Sequence, residues 1–313
     1  MFFKNLNIND LKAVAVTGNY FWAYLVMIVS LLVYIFRVLR WQMLIKSIGY
    51  ETGFFYTFAA LSLGYFVNFA LPRFGEITRC LSVKKRYQIP FMQLLGTVII
   101  ERVIDIVSLI IILLLTLILQ FNQISDFFRE NVFQPLYNGI IAKIMAGDRM
   151  IILFVIAALL IFSIIFFYFR KTIRAKSPHI ILQFIQGLKE GLASISKLKQ
   201  KRLFFLYTIL IWTCYYLMTY FWIFVFKETS ILTLGACLAI LCIGTIGRSV
   251  PIQGGGMGAY HFLVGQVILI YGVSGIVGKT LAALIHAGQT FFTFAIGLVG
   301  LIIFFIGYWK KKE

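Results

Sequence analysis

Long apolar runs separated by short polar segments dominate the chain. A helix needs about 20 predominantly apolar residues to cross a bilayer, and such runs occupy residues 20–36, 91–120, 150–169, 204–226, 231–249, 257–272 and 281–308. A further run, residues 54–71, is short, contains Gly64 and Asn68, and meets Pro72. It is either a short span or a re-entrant helix. The pattern predicts an all-α, polytopic helical membrane bundle of about seven or eight membrane segments, with one or two Pro/Gly-broken or re-entrant helices.

The composition agrees with a membrane location. Of the 313 residues, 61% are hydrophobic and 13% are charged, and the mean hydropathy is +0.93. Soluble domains are about 45–50% apolar and about 25% charged, so no water-soluble fold could bury this much apolar surface. We therefore interpret residues 1–313 as a single integral membrane domain.

The basic residues predict how the chain is oriented. Residues 170–202 contain nine Lys or Arg and one Glu, and residues 73–86 and the C-terminal WKKKE are also basic. Because Lys and Arg concentrate in cytoplasmic loops, we expect a multi-pass protein of the bacterial inner membrane with a cytoplasmic C-terminus. The same bias explains the net charge of +18, so nucleic-acid binding is not expected. If residues 54–71 are re-entrant, RVLRWQMLIK (37–46) is a cytoplasmic segment and the N-terminus lies outside.

The basic segment 170–203 has a helical pattern of its own. Its apolar residues recur with a spacing of three or four, which places them on one helix face: Ile181, Ile185, Leu188, Leu192, Ile195 and Leu198. The pattern predicts a cytoplasmic amphipathic helix, which either packs on the bundle or lies on the inner leaflet.

Charged residues interrupt one of the apolar runs at ERVID (101–105). Glu101 and Asp105 are four residues apart and share a helix face, with Arg102 adjacent in sequence. A charge at bilayer depth costs at least a few kcal/mol and usually faces a polar interior or a pathway. Two interpretations stay open: a buried ion-pair network that holds helices together, or a functional pathway. Both require further cationic partners.

Two apolar segments are broken by proline and glycine, one in each half of the chain. They read ALPRFGEITR (70–79) and IGRSVPIQGGGMGAYH (246–261). Broken helices are tolerated at membrane depth where they face protein or a water-filled cavity, and their pairing in two halves points to a central transport site. The alternative is a glycine-rich turn between ordinary spans. The candidate substrate-binding residues are Arg73, Glu76, Arg79, Glu101, Arg102, Asp105, Arg248, Gly254, Gly255, Gly256 and Gly258.

We predict that six of these charged residues converge: Arg73, Glu76, Arg79, Glu101, Asp105 and Arg248. His261 and His286 each stand alone on an apolar run. They are interpreted as hydrogen-bonded core residues rather than as proton relays.

Five short motifs together resemble one family: RVLRW, LGYFVNFALPRFGEITRC, ERVID, IQGL and PIQGGGMGAYHF. The resemblance is to the lysylphosphatidylglycerol synthase transmembrane region, also called flippase-like domain proteins, and runs from about residue 20 to 308. It implies a stand-alone helical membrane domain without the soluble aminoacyltransferase domain. It also implies lipid handling, because longer members translocate aminoacylated phosphatidylglycerol. Many members carry a glutamate shortly after the glycine turn, where this chain has Ala259-Tyr260-His261.

These observations favour a lipid transporter that moves a phospholipid or polyprenyl-linked lipid. Its phosphate would be attracted by Arg73, Arg79 and Arg248 and by the N–H groups near residues 254–258. The alternatives are an ion- or proton-coupled small-solute transporter, or a non-catalytic membrane partner in envelope synthesis. We expect no enzymatic activity, no cofactor and no metal. The expected partners are anionic or aminoacylated phospholipids or polyprenyl phosphates, and the protein is a possible homo-oligomer.

Overall fold

The computed structural model describes residues 8–121, 193–250 and 252–309, with isolated positions between 122 and 134. The chain clusters into two compact units, one of Met1–Leu119 with Gly187–Glu313 and one of Gln120–Gln186. The helices described here all belong to the first unit. The predicted span 150–169 and most of the predicted amphipathic segment lie outside the described residues, and the single-domain interpretation stays a prediction.

The described chain is helical throughout, which confirms the predicted all-α membrane fold. The helices, numbered in their order along the described chain, are α1 (Ile8–Val16), α2 (Phe21–Ser47), α3 (Phe54–Ala70), α4 (Phe74–Tyr87), α5 (Phe91–Leu119), α6 (Lys201–Trp222), α7 (Leu234–Ser249), α8 (Ala259–Ile270) and α9 (Gly275–Trp309). By length and composition, α2, α5, α6 and α9 can each cross a membrane, whereas α3, α7 and α8 are apolar but shorter.

Helices α3 and α4 form a hairpin in which the first residues of α3 lie next to the last residues of α4. The backbone N–H of Gly53 donates to the Tyr87 hydroxyl at 2.8 Å, which joins the start of α3 to the end of α4. At the tip, the turn between the helices contains Arg73 in a left-handed conformation with φ of 69°. Residues 73–86 are therefore the returning limb of the hairpin and not a loop on the far side of a span.

Helices α7 and α8 form a second hairpin, closed by a glycine turn at residues 253–258. The limbs lie very close, because a Cβ atom on Gly247 would come within 2.9 Å of the Tyr260 backbone. The limbs have 16 and 12 residues, and at about 1.5 Å per residue the second is about 18 Å long. The sequence predicted two separate spans at 231–249 and 257–272. The structure corrects this, because α8 is too short to cross about 30 Å of hydrocarbon.

The tips of both hairpins lie near the middle of the long helix α9. Near the tip of the first hairpin, the ring centroids of Phe69 and Phe294 are 4.8 Å apart. At the tip of the second, the Gly255 carbonyl oxygen is 3.4 Å from His286 Nε2. Both α9 residues are central in its apolar stretch, Gly275–Ile306, and the glycine turn also contacts α3. Both hairpins therefore turn back beside the middle of α9, as expected for re-entrant hairpins.

The described helices form two inverted structural repeats. Each contains a spanning helix, a re-entrant hairpin and a second spanning helix: α2 to α5, and α6 to α9. The equivalent helices α2 and α6 run antiparallel, because Trp22 stacks on Phe221 at one end and Arg40 contacts Thr208 towards the other. Each hairpin also packs on the last helix of the other repeat, α3 on α9 and α7 on α5. This order and packing are those expected for repeats related by an approximate two-fold axis in the membrane plane.

The core explains two smaller features of the sequence. Ile195 and Leu198, from the end of the predicted amphipathic segment, pack with Leu44 and Phe204, so this end of the segment lies against the bundle. The cysteines are buried and unpaired, as expected for small apolar side chains: Cys80, Cys214, Cys237 and Cys242.

Candidate functional site

A network of ion pairs joins helices α2, α4 and α5 around Glu101. The Glu101 carboxylate is 1% exposed and accepts from Arg79 Nη2 at 2.7 Å. Arg40 lies between the two carboxylates of α5, with Nη2 at 3.6 Å from Glu101 Oε1 and Nη1 at 2.8 Å from Asp105 Oδ1. Because Glu101 and Asp105 are one helical turn apart, both can face the same pair of neighbouring helices.

Two further arginines extend the network on either side. Arg37 donates through Nη2 to Asp105 at 3.3 Å and through Nε to the Tyr215 hydroxyl at 2.9 Å, which connects the network to α6. Arg102 makes a 2.7 Å ion pair with Glu76. The network therefore links both spanning helices of the first repeat, the returning limb of its hairpin and the first helix of the second repeat.

Neighbouring side chains fix the guanidinium of Arg79. Its Cζ atom lies 4.7 Å from the centroid of the Trp41 ring, in cation–π geometry. The Trp41 indole is buried and donates to the Thr97 hydroxyl at 2.9 Å. Arg79 is thus held between a ring and a carboxylate and has little rotational freedom.

The network carries an unmatched positive charge. Four arginines (Arg37, Arg40, Arg79 and Arg102) face three carboxylates (Glu76, Glu101 and Asp105). Four buried guanidinium nitrogens and two carboxylate oxygens of the network lack a hydrogen-bond partner within the described chain: Nε and Nη2 of Arg40, Nε and Nη1 of Arg79, Oε1 of Glu101 and Oδ1 of Asp105. Unpaired buried charge is strongly destabilising, so an anion placed here would be stabilised.

A small cleft between the limbs of the first hairpin leads to this network. Its polar lining comprises Tyr65, Asn68, Glu76, Arg79 and Arg102. The Glu76 carboxylate accepts from Arg102 Nη2 at 2.7 Å and from the Asn68 amide at 3.3 Å, which keeps both side chains in place at the wall of the cleft.

The tip of the second hairpin holds a different cluster. The ring centroids of His261 and His286 are 4.6 Å apart. The backbone N–H of Gly258 donates to His261 Nδ1 at 3.2 Å, while His286 Nε2 lies 3.4 Å from the Gly255 carbonyl oxygen. The guanidinium of Arg248 lies over the Tyr260 ring, 4.4 Å from its centroid. The histidines are hydrogen-bonded to the turn, as the sequence indicated, but they also contact each other.

The glycine turn depends on its composition. Gly254, Gly255, Gly256 and Gly258 all have positive φ, between 68° and 88°. A Cβ atom on Gly256 would also come within 2.5 Å of the Gly247 carbonyl oxygen. Residues with side chains would strain this backbone, so the glycines allow α7 and α8 to approach closely.

Comparison with known proteins gives the family. The family model of the lysylphosphatidylglycerol synthase TM region matches residues 1–297. The chain belongs to this family. It is also similar to a UPF0104 membrane protein of Methanocaldococcus jannaschii, with 29% identity over 103 residues, which is 32% of this chain and 31% of that protein. No solved structure matches.

In this member of the lysylphosphatidylglycerol synthase TM-region family, the structure brings together four of the six residues predicted to converge: Glu76, Arg79, Glu101 and Asp105. Arg102, another candidate, joins them. Arg73 is exposed at the tip of the first hairpin, and Arg248 lies on Tyr260 at the tip of the second. Neither makes an ion pair among the described residues. Their role in substrate binding stays a prediction.

Three members of the network were missed from the sequence: Arg37, Arg40 and Tyr215. The sequence interpretation ended the first span at residue 36 and treated 37–46 as a loop. The structure corrects this, because α2 continues to Ser47 and buries both arginines. The three-residue spacing of Arg37 and Arg40 within an apolar run was the available signal, because it places both on one helix face.

Proposed function

We propose that the protein moves a lipid with a phosphate-containing head group across the membrane through the polar site of the first hairpin. The unmatched positive charge of the buried network carries this proposal, since four arginines face three carboxylates there. Guanidinium groups suit phosphate because their N–H donors match two phosphate oxygens at once. Membership of a family named for a lysylphosphatidylglycerol synthase supports a lipid as the source of the phosphate.

The amphipathic character of α4 favours a lipid over a soluble anion. Its buried face carries Arg79 and Ser82, whereas Phe74, Ile77 and Leu81 are exposed. A helix on the surface of a soluble protein exposes polar side chains, whereas α4 exposes apolar ones. The exposed face of α4 can therefore contact acyl chains. A lipid could therefore place its head group in the cleft and leave its tails on the outer face of the hairpin.

We also propose the membrane in which the protein lies and its orientation there. We infer a multi-pass protein of the bacterial inner membrane with a cytoplasmic C-terminus, because basic residues dominate the segments assigned to that side. The proposal assigns no catalytic step to the chain. Phospholipids, aminoacylated phospholipids and polyprenyl phosphates are the candidate substrates.

The test is lipid movement by purified protein in liposomes. Fluorescent phosphatidylglycerol and its lysyl ester are reconstituted, and dithionite bleaching measures how fast inner-leaflet lipid reaches the surface. Arg102→Gln removes a cation that lines the cleft. Lys84→Gln is the matched control, because it removes one positive charge from the exposed face of the same hairpin.

We expect the wild-type protein to move lipid and Arg102→Gln to be slower by about 10- to 150-fold, as for loss of one charged hydrogen bond worth about 1.5–3 kcal/mol. Lys84→Gln should behave as wild type. Rates no higher than in protein-free vesicles for every lipid, including a polyprenyl phosphate, would refute the proposal. Proton-dependent uptake of a small solute by the same vesicles would instead support the transporter alternative.

A further inference from the structure

His261 joins the glycine turn of the second hairpin to the helix that follows it. The backbone N–H of Gly258 donates to His261 Nδ1 at 3.2 Å, and the histidine is buried, with 5% of its surface exposed. A backbone N–H can only donate, so Nδ1 is the acceptor nitrogen and a neutral ring carries its proton on Nε2. This hydrogen bond therefore requires that His261 is neutral.

A proton added to His261 can go only to Nδ1, because Nε2 already carries one. The added proton turns this acceptor into a donor, which then faces the Gly258 N–H across 3.2 Å. Two donors cannot form a hydrogen bond with each other. Proton uptake by His261 therefore breaks the bond between the glycine turn and the first turn of α8.

The helices around the glycine turn offer an imidazolium no counter-charge. Helices α7 and α8 form the limbs, α3 and α9 contact the turn, and none of these four helices contains Asp or Glu. The neighbouring groups are Arg248 of α7, Tyr260 of α8 and His286 of α9, with Lys279 two helical turns before His286. His261 is also the third residue of α8, where the helix dipole disfavours a cation.

We propose that His261 is a proton-binding site that controls the glycine turn: the closed turn holds a neutral His261, and proton uptake at Nδ1 opens the turn. An imidazole in water titrates at about pH 6.5, so the closed turn is favoured above that pH and loses stability as the pH falls below it. Because only the open turn takes the proton, the ratio of open to closed turns rises roughly 30-fold between pH 8 and pH 5. The second hairpin then responds to a proton gradient across the membrane, an input that goes beyond the proposed function.

The experiment measures amide hydrogen exchange of the purified full-length protein by mass spectrometry, in peptides that cover residues 252–262. Exchange times at pH 8 and pH 5 are scaled to the intrinsic rates, so that the comparison reports protection by structure. We expect protection in wild type to fall roughly 30-fold towards pH 5. In His261→Asn, Oδ1 replaces Nδ1 as the acceptor for the Gly258 N–H but takes no proton in this range. Its protection should therefore be the same at both pH values.

Two controls assign the response to His261. The peptide across the turn of the first hairpin, residues 70–76, contains no histidine and should show equal protection at both pH values. His286→Gln leaves His261 in place and should keep the fall; if this variant loses it, the proton binds His286 and the proposal is wrong. Equal protection of the wild-type turn at both pH values would overturn the proposal, as would an equal fall in His261→Asn. A proton-controlled turn in a protein that moves no lipid would overturn only the proposed function.

Discussion

The substitution Glu101→Gln tests whether the ion network is truly shielded from water. Glu101 is 1% exposed and is the shared partner of Arg79 at 2.7 Å and Arg40 at 3.6 Å. Glutamine keeps the shape but removes the negative charge, so the buried guanidinium of Arg79 loses its counter-charge and Arg40 keeps only Asp105. Breaking a buried pair by removing one partner costs about 3–5 kcal/mol, and we expect the free energy of unfolding to fall by that amount.

Glu76→Gln is the matched control within the same network. Its pair with Arg102 has the same 2.7 Å distance, but the two side chains are 22% and 37% exposed. Solvent screening reduces such a pair to about 0–1 kcal/mol. The structure therefore predicts a difference of about 3 kcal/mol between the two substitutions, because Glu101 is less exposed than Glu76 and pairs with two arginines instead of one.

The assay is reversible unfolding in mixed micelles as the mole fraction of sodium dodecyl sulfate rises, followed by tryptophan fluorescence. If both substitutions destabilise the protein equally, water reaches Glu101 and the assignment of a buried network is wrong. The double variant Glu101→Gln/Arg79→Gln removes a charge of each sign. It should recover part of the loss, because neighbouring substitutions in one network are not additive.

Three further predictions test the fold. Gly64→Ala should separate the limbs of the first hairpin and lower stability, while Gly275→Ala, whose Cβ would have only a 3.9 Å contact, should be tolerated; thermal unfolding of both variants measures this. Tyr215→Phe should lower the free energy of unfolding by about 1.5–3 kcal/mol, because a buried guanidinium loses its acceptor; equal stability to wild type would contradict the bond. Cysteines at the exposed positions Gln88 and Ser230, near the bases of the two hairpins, should react with a membrane-impermeant maleimide from opposite faces; labelling from the same face would exclude inverted repeats.

The sequence predicted the helical membrane class and much of the network because both depend on local patterns. Glu101 and Asp105 could be placed on one helix face from their spacing alone. Their main partner, Arg40, lies 61 residues before Glu101 in sequence. The sequence interpretation ended the first span before its first charged residue, Arg37, and so placed Arg40 outside the membrane. Counter-charges from a distant helix make a buried arginine acceptable, and a single sequence does not show that contact.

The hairpins show a similar division between local and tertiary information. The breaks near Pro72 and at the glycine turn were visible, because proline and glycine interrupt helices through their own backbone chemistry. The two hairpins turn back beside the middle of α9 because their tips pack against that helix. The contact between His261 and His286 likewise follows from α8 and α9 packing side by side, which residue spacing cannot predict.

The re-entrant hairpins also give the protein an uneven hydrophobic thickness. At about 1.5 Å per residue, the 29 residues of α5 extend about 44 Å, whereas the 14 residues of α4 extend about 21 Å. The hydrocarbon core of a bilayer is about 30 Å thick, so lipids beside α4 must shorten or tilt their chains. Such mismatch costs fractions of a kcal/mol per Å. We therefore expect the bilayer to be thinner beside the hairpins than beside α5, which shortens the path of a head group to the midplane.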